Sequence, residues 1–195
     1  MDYKGHKGYS KPDGSTTEAW SDYTCGHCGT YVSGAVIAYT GPVGARAEWL
    51  VCTKCGHGSY RKDNNIIYPG QVEGPSLTGV PEDVYEAYNE ARNCMSVNAF
   101  NATELICRKI LMHVAVEKGA EEGKSFAFYL DELESLGYIT PPMKKWVDII
   151  RKNGNSATHK IEEPNKGRAM SSLMFTAELL RIIYEMEHFA STFSV

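Results

Sequence analysis

No run of this chain approaches the roughly 18 uninterrupted apolar residues of a membrane helix. Its opening stretch, MDYKGHKGYSKPDGSTTEAW, has no apolar signal core. A cytoplasmic protein with no membrane association is therefore the expectation. An excess of one charge is also missing: 20 Lys and Arg stand against 24 Asp and Glu, a formal net charge of −4. That balance excludes a broad polyanion-coating protein of the histone type and confines any nucleic-acid site to a local patch. The chain carries no HExxH motif and no carboxylate-rich ligand set, so a zinc-dependent hydrolase is disfavoured. What is present suffices for a core, because 43% of the 195 residues are hydrophobic and 23% charged.

Cysteine is plentiful and patterned. Cys25 and Cys28 stand in CGHCG, Cys52 and Cys55 in CTKCG, and 23 residues separate the two pairs. Two residues between thiols let one tight turn aim both sulfurs at a single ion, and Gly29 and Gly56 supply the positive φ that such a turn uses. Two turns complete a tetrahedron, so the spacing predicts one zinc ion held by Cys25, Cys28, Cys52 and Cys55, structural because four thiolates leave no open position. A disulfide framework is the alternative, opposed by the reducing compartment expected above. His27 and His57 are expected to be exposed residues of the two turns. Between the pairs, Tyr31 to Tyr39 and Ala47 to Val51 read as strands around a turn at Gly41-Pro42-Val43-Gly44. The unit, residues 1–62 with a polar N-terminal segment, resembles a zinc ribbon. Its seven basic residues and Trp20, Tyr31, Trp49 and Tyr60 suit stacking on a nucleic-acid strand. The same aromatic residues equally suit protein docking or the filling of a small metal-dependent core.

Residues 63–79, DNNIIYPGQVEGPSLTG, are rich in Asn, Gly and Pro and read as a linker. Residues 80–195 then read as an all-α bundle of five or six helices. Pro81 opens the first helix, with Val84, Ala87, Tyr88 and Ala91 at helical spacing. The second places Ala99, Ala102, Ile106, Ile110 and Val114 on one stripe, with Leu105 and Leu111 beside it. Cys94 and Cys107 read as small buried side chains, and His113 as a packed, hydrogen-bonded one. A helix from Phe126 ends before Gly137, and another starts at Thr140-Pro141 with Met143, Trp146, Val147 and Ile150 on its apolar side. Near Lys152 that helix is expected to stop, turn through Gly154 and restart at Asn155 or Ser156. The last helix, Arg168 to Phe189, buries Leu173, Ala177, Leu180 and Tyr184.

The segment Ile150-Arg151-Lys152-Asn153-Gly154-Asn155-Ser156-Ala157-Thr158-His159, with Pro81-Glu82-Asp83-Val84-Tyr85-Glu86-Ala87-Tyr88, resembles the bacterial family known as domain of unknown function 4145 over about residues 80–190. The resemblance implies membership of the HEPN superfamily of small helical bundles. Many of these are dimeric, metal-independent ribonucleases with an Arg, a polar residue and a His as the active motif. Arg151, Asn155 and His159 would occupy those positions, at a spacing wider than the common motif. It implies further a bacterial or phage defence setting. The fold expected for the whole chain is thus a HEPN-like α-helical bundle preceded by a small zinc-ribbon β domain.

Independently of the resemblance, Arg151, Asn155 and His159 recur every four positions. Residues 144–168 hold seven basic and three acidic side chains, within a region 63–195 that is acidic as a whole. His159 suits a general base, Arg151 a clamp on a phosphorane, and Asn155 an orienting group. One chain supplies one such histidine, so cleavage of RNA would need a homodimer through the helical domain. The alternative is structural: Asn155 as a helix cap, Arg151 paired with a carboxylate such as Asp148, and His159 fastening a loop. The chain is then a non-catalytic dimeric adaptor, or a nucleic-acid or nucleotide-binding module, with a protein partner.

Overall fold

In the computed structural model, residues 9–10, 16–17, 19–40, 47–62, 66–157, 163 and 165–193 are described, with the backbone alone at 9–10, 16–17 and 152–157. The chain forms two compact units, Met1–Val72 and Glu73–Val195, each with a hydrophobic core of its own.

In the first unit, β1 (Tyr9–Ser10) pairs antiparallel with β2 (Thr16–Thr17). Five further strands form an antiparallel sheet in sequence order: β3 (Trp20–Thr24), β4 (Tyr31–Thr40), β5 (Ala47–Val51), β6 (Gly58–Lys62) and β7 (Ile66–Tyr68). This overturns the expected fold class. In place of a small zinc ribbon before a helical bundle, a five-stranded antiparallel half-barrel sheet precedes the helices. The difference lies in strands too short to signal themselves. Ile66–Tyr68, embedded in the Asn- and Gly-rich stretch read as a linker, finds its place only by pairing with Tyr60–Lys62. The turn expected at Gly41-Pro42-Val43-Gly44 lies outside the described residues.

Alternation along the strands sorts their side chains onto two faces. One carries the core of Tyr23, Val36 and Leu50 with Cys25 and Cys52. On that face Arg61 pairs with the nearly buried Glu48 and donates to Ser21, so two charges leave water together. Between Val36 and Ala38 the register shifts by a bulge.

The second unit contains α1 (Glu82–Ser96), α2 (Phe100–Glu117), α3 (Phe126–Ser135), a 3₁₀ turn (Pro141–Met143) leading into α4 (Lys144–Ala157), and α5 (Lys166–Leu180). A π-helical turn (Arg181–Glu185) joins α5 to α6 (Met186–Thr192). The turn places Glu185 to accept from the Thr78 amide at 2.8 Å and its hydroxyl at 2.9 Å, and Tyr184 to donate to Glu117 at 2.5 Å. At the end of α3, Gly137 takes φ +84° and the Tyr138 amide reaches back to the Leu133 carbonyl, the left-handed stop expected there. On α5, Leu173, Ala177 and Leu180 are buried, followed by Tyr184 in the π turn.

Three expectations are corrected in the helices. The buried face of α2 is Thr103, Cys107, Ile110, Leu111, Val114 and Ala115, whereas Leu105 is 49% exposed. Thr103 enters the core because its hydroxyl is satisfied by the Ala91 carbonyl at 3.2 Å. His113 is exposed and faces Asp83 at 3.7 Å rather than packing inside. The helix α4 also runs on through Asn153-Gly154 to Ala157 instead of breaking at Lys152. Glycine inside a helix costs only about 1 kcal/mol against alanine, so an Asn-Gly pair does not force a stop.

Glu104 is buried against α5 and accepts from the Arg168 Nε at 2.9 Å. Glu104→Ala leaves a largely enclosed guanidinium without this partner. The expected result is a loss of about 2–3 kcal/mol from the helical unit, read as a lowered Tm. Arg168, at 17% side-chain exposure, retains some solvent contact, which moderates the loss.

Candidate functional site

The four paired cysteines are brought together by two equivalent turns. In the first, the Gly29 amide donates to the Cys25 carbonyl at 2.9 Å and the Cys25 amide to the Thr30 carbonyl at 3.0 Å. In the second, Gly56 and Cys52 repeat the pattern at 2.9 and 3.0 Å, with His57 in the place of Thr30. Gly29 and Gly56 adopt φ of +67° and +75°, which lets each turn close. Gly26 serves differently: a Cβ there would lie 2.0 Å from the Pro69 carbonyl oxygen, so the chain after β7 passes hard against the first turn.

All four Sγ atoms lie within 4.8 Å of one another. Cys25 and Cys55 stand 3.7 Å apart, and Cys28 and Cys52 3.8 Å. A tetrahedral ion with metal–sulfur bonds of ~2.3 Å separates its sulfurs by ~3.8 Å, so the donor set fits a four-thiolate metal site. The cysteines are not in disulfides. Burial pushes the Cys25 thiol up to about 12, while hydrogen bonding from the Thr30 backbone brings Cys28 down to about 6. Metal binding must therefore displace protons. His27 and His57 are exposed and stack at 4.6 Å; the His27 Nε2 lies 3.1 Å from the Gly58 carbonyl.

The sheet face opposite the core carries an aromatic row. Ala38, Trp49, Tyr60 and Tyr68 stand side by side in register across β4, β5, β6 and β7. The Trp49 and Tyr60 rings are 5.3 Å apart, and Tyr60 and Tyr68 stack at 6.5 Å. Trp20, paired with Ala35, shares this face at 46% exposure, and Trp49 is 41% exposed. Lys62 lies on the same face, two positions along β6 from Tyr60. Tyr68 was missed in the sequence because its strand was missed; the short β-prone run Ile66-Ile67-Tyr68 is its local mark.

Of Arg151, Asn155 and His159, only the side chain of Arg151 lies among the described residues. Arg151 donates to Asp131 of α3 at 2.5 Å and lies 3.8 Å from Asp148 one turn back on α4. Asn155 follows one turn later on α4, with its side chain outside the described residues, as is all of His159. Part of the basic run around them is also partnered: Lys144 pairs with Glu134, Lys166 with Glu73 and Arg168 with Glu104. The Glu134 pairing holds Lys144 above its ordinary value. Among the described residues, no helix is long and apolar enough to cross a membrane.

A family model described as "Domain of unknown function (DUF4145)" matches residues 89–194. The chain belongs to the DUF4145 family. No curated protein and no solved structure matches it. The family segment begins within α1 and covers α2 to α6, so the cysteine centre and the aromatic face of this DUF4145 protein lie outside the matched region.

Proposed function

We propose that this DUF4145 protein binds single-stranded RNA on the open face of its N-terminal sheet, and that zinc at Cys25, Cys28, Cys52 and Cys55 holds the sheet together. The observation that carries the reading is the row Trp49, Tyr60 and Tyr68, three rings in register on a face whose opposite side is already occupied by the core. Unstacked bases have apolar faces to cover and polar edges to keep wet, and an aromatic platform serves both needs whatever the base. Such a row has less value on a free surface for stability alone, where cross-strand pairs contribute about 0.2–1 kcal/mol each. Zinc is favoured over other ions by four thiolates in tetrahedral spacing. Thiolate ligation suits a reducing compartment, which supports a cytoplasmic location.

Binding, rather than cleavage, is the reading the helical unit favours. A phosphorane clamp must offer its donors to substrate, but the Arg151 guanidinium is already engaged by Asp131 and Asp148. The twofold dimer demanded by a two-histidine mechanism is then not required either. Purified protein incubated with single-stranded RNA in EDTA is expected to retard the RNA in a gel and leave it intact. Products ending in cyclic phosphate, lost with His159→Ala, would restore the ribonuclease reading, and absence of any shift would remove the binding one.

A further inference from the structure

Behind the four sulfurs, on the enclosed side of the sheet, two hydroxyls have nothing to bond. Tyr23 of β3 and Ser59 of β6 lie on the core face, 4% and 5% exposed, and neither the Tyr23 Oη nor the Ser59 Oγ meets a hydrogen-bond partner among the described residues. Tyr23 packs in the same small core as Cys25 and Cys52, with Cys28 and Cys55 beside it. Gly34 of β4 opens its way: a Cβ there would lie 2.4 Å from the Tyr23 Cε1, so the ring crosses β4 only because that position has no side chain. At the far end of the ring Ser59 stands beside the phenol oxygen without reaching hydrogen-bond geometry, and Cys25, Cys52 and Cys55 act on that oxygen electrostatically. A buried hydroxyl without a partner is unfavourable, and rare enough in a folded protein to demand an explanation.

The cysteine cluster needs what these hydroxyls offer. Four thiolates around one divalent ion keep two net negative charges, and burial makes uncompensated charge unfavourable. At the rim, turn amides donate to Cys25, Cys28 and Cys55, and Lys54 of the second turn donates to the Thr30 hydroxyl of the first at 2.8 Å. On the enclosed side Arg61 is already committed to Glu48. We propose that Tyr23 is a positioning residue of the metal centre: its hydroxyl donates to the enclosed thiolates of Cys25 and Cys52 when metal is bound, and the Ser59 hydroxyl donates in turn to the phenol oxygen. A neutral thiol is a weak acceptor and a thiolate a strong one, so the bond has its full value only in the loaded site. Each link of the chain polarises the next. The inference rests on the metal reading above and is independent of RNA binding by the sheet.

The test loads the full chain with Co²⁺, because the sulfur-to-cobalt charge-transfer band reports the electron density on the thiolates. Tyr23→Phe keeps the ring and loses the donor. Its band is expected at longer wavelength than that of the wild type, and its zinc affinity, measured by competition with a chromophoric chelator, about tenfold or more weaker. Ser59→Ala should move both readouts in the same direction by less, and should add nothing in the Tyr23→Phe background, because it acts through the phenol. A purely packing role for Tyr23 would leave the band in place. An unmoved Tyr23→Phe band would therefore overturn the proposal, as would unchanged zinc affinity or a Ser59→Ala effect that persists in full in the double variant. Should Tyr23→Phe not fold, an unmoved band in Ser59→Ala overturns it equally. A wild-type chain that takes up neither cobalt nor zinc would overturn the metal reading itself, and this inference with it.

Discussion

Cys52→Ser is expected to abolish metal binding and with it the folded sheet. The core of the N-terminal unit explains the size of the effect. Beyond partly buried neighbours it consists of Tyr23, Val36 and Leu50 together with Cys25 and Cys52, two of the four clustered cysteines. Three large side chains cannot hold five strands against the conformational entropy of ordering them. A closed four-thiolate site contributes on the order of 10 kcal/mol or more, and where no site exists in the unfolded chain that free energy belongs to folding. Removing one sulfur would also leave the enclosed Cys25 thiol without the ion proposed to hold it. Metal analysis should give one zinc per wild-type chain and none for the variant. Limited proteolysis should then cut within residues 19–62 while residues 73–195, which have their own core, stay protected. Trp20 and Trp49 report the sheet and Trp146 the helices, where it donates to Ser171 at 2.7 Å. Emission from the first two should shift to that of exposed indole while Trp146 keeps its environment. A metal-free protein with a protected sheet would contradict this account.

Tyr60→Ala is expected to cost the largest share of RNA affinity of any single ring, because Tyr60 is the middle member of the row and touches both neighbours. Loss of one stacked base is worth about 1–3 kcal/mol, so the dissociation constant should rise by roughly fivefold to a hundredfold. Trp49→Ala should act in the same direction. Tyr60→Phe keeps the ring and should bind nearly as wild type, which separates stacking from hydrogen bonding by the hydroxyl. Since cross-strand pairs contribute less than about 1 kcal/mol to the sheet, zinc content and Tm should change little. Equal RNA binding by Tyr60→Ala, with zinc retained, would place the RNA elsewhere.

What could be read from the sequence divides along physical lines. The cysteine spacing was legible because two short turns and a tetrahedron are local geometry, and the fold brings all four sulfurs together. Helices with a one-sided apolar pattern were legible for the same reason, as Val147 and Ile150 of α4 illustrate. The half-barrel sheet was not: β3 and β7 are edge strands, and Ile66–Tyr68, only three residues long, acquires its structure by pairing with Tyr60–Lys62. The face of α2 was misplaced because Thr103 and Glu104 look like surface residues until the Ala91 carbonyl and Arg168 are brought to them. Of the basic stretch 144–168, Lys144, Arg151, Lys166 and Arg168 meet counter-charges, Glu134, Asp131, Glu73 and Glu104, that lie far off in sequence. Long-range pairing conceals itself from any local count of charge.

Photocrosslinking of the zinc-loaded chain to single-stranded RNA bearing 4-thiouridine, with adducts mapped by mass spectrometry, tests the central claim most directly. Adducts on Trp49, Tyr60 and Tyr68 are the predicted result. Adducts confined to residues 150–159 of the helical unit, with none on the sheet, would contradict it.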